Sequence, residues 1–177
     1  MSDISTTSTS HARSRPTGTA TAAADLAYGA FYGGALGGSV IAIFFLIMDG
    51  IQGQALYTPS MLGTALFLDT IVPGVRLDMV ALFSVVHFAS YFAVGAFASW
   101  LHLTWEPLRH QFLALGVVIF TMLTGLLFLA DWLVLDGVAS ALGIFEVLIA
   151  NAITAGAMAA FIGRALPGER EPSPEEA

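Results

Sequence analysis

Ser84, His87 and Tyr91 stand three and four residues apart in the stretch FSVVHFASYF, residues 83–92. That spacing stacks them on one face of a helix. An imidazole so placed can relay a proton near neutral pH, ligate a metal or haem, or make a single hydrogen bond. The other ionisable group deep in an apolar run is Glu146, within IFEVLIANAIT, where Ala150 and Thr154 share its face and Asn151 lies further around. A charge at a bilayer centre costs about 2.5–3.5 kcal/mol, so such residues are partnered or functional. His87 is nine residues past Asp78 and Glu146 ten past Asp136, each about 14 Å along its helix. The two are therefore expected at one level. The candidate intramembrane polar site is His87, Glu146, Tyr91, Ser84 and Asn151, with Thr121 and Thr124 of the third helix within possible reach. It reads either as a buried polar pair that only packs, as a proton relay, or as a ligand site.

Other chemistries find little support. Cysteine is absent, which removes disulfides, thiolate metal sites and thiol nucleophiles. A di-iron carboxylate site needs several glutamates and two Glu-x-x-His motifs, and the sequence contains no Glu-x-x-His. No nucleophile–base pair, phosphate loop or zinc motif stands out, so an enzyme is not favoured and no metal or cofactor is expected. His102 and His110 sit at a helix boundary, which leaves no pair of axial histidines at core depth. Antenna helices usually have alanine four residues before a pigment ligand, and here that position is Phe83. Nothing forms a basic stripe, so nucleic acid is not an expected partner.

The elements that must hold these residues are membrane helices. The chain has 177 residues, 56% hydrophobic and 11% charged, against about 25% charged in soluble domains. Gaps in the charge pattern, the last interrupted only by Glu146, define spans at about 26–48, 79–101, 111–130 and 137–163. Each has the roughly 20 residues that a helix needs to cross hydrocarbon, where it satisfies its own backbone. The expected class is all-α: an up-and-down four-helix membrane bundle over 26–164, with a short interfacial or re-entrant helix at about 59–69 in the first outer loop. Thr58 is expected to cap that helix, with Pro59 at its first position. Thr104 is the expected cap of the third span, with Pro107 in its first turn. Asp136-Gly137 marks a second hairpin. The five acids Asp49, Asp69, Asp78, Asp131 and Asp136 read as solvated loop ends.

Arginine placement orients the bundle. With both termini cytoplasmic, Arg13, Arg15, Arg109, Arg164 and Arg170 lie inside and Arg76 alone lies outside. Segments 1–25 and 165–177 read as disordered cytoplasmic tails. Gly29, Gly33 and Gly37 fall four apart, as do Gly34 and Gly38. With Gly156 on the fourth span they form small-residue ridges for close helix packing, within the bundle or against a second copy.

GGALGGSVIAIFFLIMDGIQGQALYTPSMLGTALF, followed by VVHFASYFAVGAFASW, resembles a group of small bacterial four-span membrane proteins without an assigned activity. The resemblance covers roughly residues 29–100 and implies the bacterial inner membrane and an accessory role. The leading expectation is an accessory or assembly subunit, with lipid and other membrane subunits or its own copies as partners. The alternatives are a proton or ion conduit using His87 and Glu146, and a haem-, pigment- or quinone-binding electron-transfer subunit.

Overall fold

A computed structural model describes residues 18–68, 70–109, 111–135 and 142–166. Expectations at Asp69, His110, Asp136-Gly137, Arg13, Arg15, Arg170 and most of both tails lie outside the described residues. Every regular element among the described residues is helical. Helices α1 (Gly18–Tyr28) and α2 (Gly34–Ile51) join through a π-helical turn, Gly29–Gly33, into one apolar helix. The short α3 (Tyr57–Leu68) follows, then α4 (Leu77–Thr104), a single turn α5 (Glu106–Arg109), α6 (Phe112–Ala130) and α7 (Ile144–Ala165). A second π turn, Asp131–Leu135, extends α6.

Four helices are long and apolar enough to span a membrane: Thr21–Ile51, Leu77–Thr104, Phe112–Leu133 and Ile144–Ala165. The protein is thus a multi-pass, all-α membrane bundle. The first two reach 31 and 28 residues, about 46 and 42 Å at 1.5 Å per residue. Their ends therefore pass beyond a hydrocarbon core of about 30 Å. Asp25 was expected to mark the start of the first span, yet the helix begins earlier, through TATAAAD. A charge at the interface does not stop a helix, and alanine propagates it well. Thr104 ends α4 rather than capping the third span, and its hydroxyl donates to the Trp100 carbonyl at 2.7 Å. Pro107 belongs to the separate turn α5. The fourth span shows the largest shift: α7 begins at Ile144, after Gly143 at φ 83°, not at 137.

Around the bundle α7 lies between α2 and α6, and α2 packs on α4, while α4 and α6 touch much less. Val94, Ala98, Leu115, Ile119, Ala155, Met158, Ala159 and Ile162 form the core. Gly34 and Gly95 allow the closest crossing. A Cβ on Gly34 would lie 2.7 Å from the Phe92 Cα and the Tyr91 carbonyl, and one on Gly95 would lie 2.7 Å from the Ala30 carbonyl. Backbone meets backbone there, the packing that membrane helices use where lipid supplies no hydrophobic drive. Gly33 meets Ile162, Gly37 meets Met158 and Gly38 meets Phe88, so this ridge is consumed inside the bundle. Gly29 is likewise buried, against Ser99 and Leu166. Gly156 has open space at the Cβ position instead. Ile47, Leu113, Val117, Phe145 and Ile149 point outward as the lipid-facing surface, with Trp100, Trp105 and Trp132 exposed near helix ends, the usual place for interfacial tryptophan.

Candidate functional site

Asp49 lies in the last turn of the first spanning helix, and its role begins with the turn after it. Gly53 (φ 74°) and Leu56 (φ 68°) reverse the chain so that α3 starts beside the Asp49 carboxylate. Thr58 donates its backbone N–H to Asp49 Oδ2 and its hydroxyl to Oδ1, both at 2.7 Å. Negative charge is favourable at a helix N-terminus, where backbone N–H groups lack partners. Asp49 is only 5% exposed, so the expectation of a solvated loop acid is corrected. Thr58 is likewise corrected: it is not the cap but the group that is capped.

The rest of α3 is buried on more than one side. Ser60 accepts the Arg76 N–H at 2.8 Å and donates to the Gly74 carbonyl at 3.4 Å. Thr64 donates to the Met61 carbonyl at 2.9 Å and accepts the Val72 N–H at 3.4 Å. These bonds bring the return loop back over α3. Gly63 lies so close to α4 that an added Cβ would be 2.5 Å from the Met79 carbonyl. Met61, Leu62 and Ala65 pack with Tyr57, Phe83 and Leu142. The short helix is therefore wedged across the end of the bundle and not laid on its surface. Arg76 and Asp78 form an exposed ion pair beside it, of a kind that adds little stability.

Beneath α3 lies a cavity of about 450 Å³, within the range of about 300–1,000 Å³ usual for ligand pockets. Ile41 and Phe45 of α2, Phe83 and Phe88 of α4, Leu123 and Leu127 of α6, and Val147 of α7 supply its walls. Leu62 and Leu66 of α3 form the roof. No Asp, Glu, Lys or Arg among the described residues lines it. Ile43, Leu46, Val86 and Leu126 both line the cavity and are exposed, so it reaches the lipid-facing surface.

His87, Tyr91, Ser84 and Asn151 all line this space. His87 Nε2 lies 3.0 Å from the Gly38 carbonyl, which can only accept, so Nε2 carries the proton and donates. In the neutral ring Nδ1 is then the acceptor nitrogen. The ring is packed among Phe83, Phe88 and Tyr91, with the Tyr91 centroid at 4.9 Å. Ser84 donates to the Val80 carbonyl of its own helix at 2.7 Å. Asn151 reaches across to α6, its Nδ2 donating to Thr124 Oγ1 at 3.1 Å. Thr154 is fully buried, and its hydroxyl has no partner among the described residues.

Glu146 does not join this group. It sits in the first turn of α7, where its carboxylate folds over Gly143. A glutamate three residues into a helix commonly reaches back to the cap position. The expected level match with His87 counted residues from Asp136, but the helix starts at Ile144, so Glu146 marks its end and not its middle. The polar pair expected across the bundle is replaced by a histidine–backbone bond. Among the described residues no three His, Asp or Glu side chains converge to hold a metal.

The structure is a four-span all-α bundle with a cavity that no charged side chain among the described residues lines. No family model, curated protein or solved structure matches the chain.

Proposed function

We propose that this is an accessory protein of the bacterial inner membrane that holds an apolar molecule drawn from the bilayer. The observation that carries the reading is the cavity of about 450 Å³ beneath α3, walled by apolar side chains and open toward lipid through Ile43, Val86 and Leu126. Ligand sites of this size typically combine an apolar wall with a few placed polar groups, and His87, Tyr91 and Asn151 are those groups here. The conduit reading has less behind it, because Glu146 folds onto Gly143 and does not line the cavity.

A tryptophan reporter tests the reading. In Phe83→Trp protein, purified in mild detergent, a mid-chain brominated C18 hydrocarbon should quench the reporter saturably beyond the quenching of Trp100, Trp105 and Trp132. Ala130→Phe, which fills the cavity from α6, should abolish the saturable component. Quenching that rises linearly with probe and is unchanged by Ala130→Phe would mean simple partitioning and would refute the proposal.

A further inference from the structure

We infer that the occupant of the cavity is a neutral amphiphile whose head carries a hydroxyl group, seated with that hydroxyl against His87 and Tyr91. The inference rests on the binding role proposed above and names the ligand's chemistry. Three observations lead to it. The lining holds no Arg, Lys, Asp or Glu among the described residues, so an ionised head would be buried without a counter-charge. Such burial is expensive enough that the charged form is excluded. The bond to the Gly38 carbonyl uses the one N–H of a neutral His87, which leaves Nδ1 as an acceptor. No other described residue bonds Nδ1 or the Tyr91 hydroxyl, although the two rings are in contact at 4.9 Å.

The remaining polar capacity is thus matched to one hydroxyl. His87 Nδ1 accepts its proton, and the Tyr91 hydroxyl donates to its oxygen. Asn151 already donates one N–H to Thr124 and retains its carbonyl oxygen as a further acceptor. A carbonyl-only head would leave Nδ1 unsatisfied, and an acid would bring a charge. The apolar remainder lies along Phe45, Phe83 and Leu127 toward α3. Long-chain alcohols, isoprenoid alcohols, glycerides and quinols share this chemistry.

The test holds the chain constant and varies the head. The same Phe83→Trp protein is titrated at pH 7 with mid-chain brominated C18 probes that end in an alcohol, a carboxylic acid or a methyl group. The alcohol should bind about three- to tenfold more tightly than the hydrocarbon, as expected for one or two net hydrogen bonds, and the acid at least tenfold more weakly than the alcohol. His87→Phe should erase the advantage of the alcohol while hydrocarbon binding persists, which also reports that the variant is folded. The Gly38 carbonyl lies inside α2 and keeps its helical bond, so the substitution leaves no acceptor stranded. Tyr91→Phe should remove part of the same advantage. An acid that binds as well as the alcohol, or an alcohol no better than the hydrocarbon, overturns the inference while the cavity stands. Failure of all three probes refutes the binding role itself.

Discussion

At the scale of the residue, the side chain that seats α3 is Asp49, which takes both the N–H and the hydroxyl of Thr58. Hydrogen bonds to a charged partner are worth roughly 1.5–3 kcal/mol, and removing the carboxylate also strands the N–H it served. Asp49→Ala should therefore destabilise the seating of α3 by about 2 kcal/mol, read as faster amide exchange across residues 57–68 with slower exchange kept in α6 and α7. Uniform acceleration throughout the bundle would show instead that α3 is not a separable unit. His87 differs in kind, because its histidine identity was legible as chemistry but its partner was not. The stripe of Ser84, His87 and Tyr91 was readable from spacing, and all three line one cavity. The Gly38 carbonyl that His87 meets is a backbone atom 49 residues away, and no side-chain pattern marks it. Glu146 was misplaced for a related reason: the charge at Asp136 suggested a helix start, while Gly143-x-x-Glu146, a pattern present in the sequence, was the better boundary signal.

At the scale of the element, glycines separate into those that are packed and those that are not. Gly95 stands against the backbone of the first helix: a Cβ added there would lie 2.7 Å from the Ala30 carbonyl and the Gly34 nitrogen, and no side chain can rotate away to relieve it. Gly95→Ala should pull the helices apart and lower the thermal midpoint in detergent by several degrees or abolish folding. Gly125 lies on α6 with nothing within 4 Å of its Cβ position, and alanine favours a helix by up to about 1 kcal/mol over glycine. Gly125→Ala should melt at the same temperature or slightly higher. Equal losses at both positions would argue against a specific crossing at Gly95. The ridge at Gly33, Gly34, Gly37 and Gly38 was evident from its four-residue period, but period alone does not distinguish an internal neighbour from a second copy. Partner choice comes from where α4 and α7 run, a tertiary matter. The same limit applies to α3. Its existence follows from YTPSMLGTALFL, whereas its burial depends on Ser60 and Thr64 meeting a loop 14 and 8 residues further on.

At the scale of the whole molecule, the geometry joins topology to the source of the ligand. The segment around Tyr28 and Gly29 and the C-terminal end of α7 meet at one end of the bundle: Gly29 packs against Leu166, and Tyr28 stacks on Phe161. The α3 roof and the cavity lie toward the other end. Arg109 and Arg164 belong to the termini end and Arg76 to the α3 end, with Arg13, Arg15 and Arg170 in the adjoining tails. On the arginine bias we propose that the termini are cytoplasmic, which would put the cavity in the leaflet away from the cytoplasm. Reporter fusions decide the matter. Green fluorescent protein at either end should be fluorescent and alkaline phosphatase inactive, whereas phosphatase inserted after Gly53, in the turn before α3, should be active. The reverse pattern would invert the molecule and place the cavity mouth in the cytoplasmic leaflet. With the expected pattern, a hydroxyl-headed amphiphile would enter between α2, α4 and α6 from the outer leaflet. Its head would then pass toward the bilayer midplane, where His87 meets the Gly38 carbonyl, while its chain remained under α3.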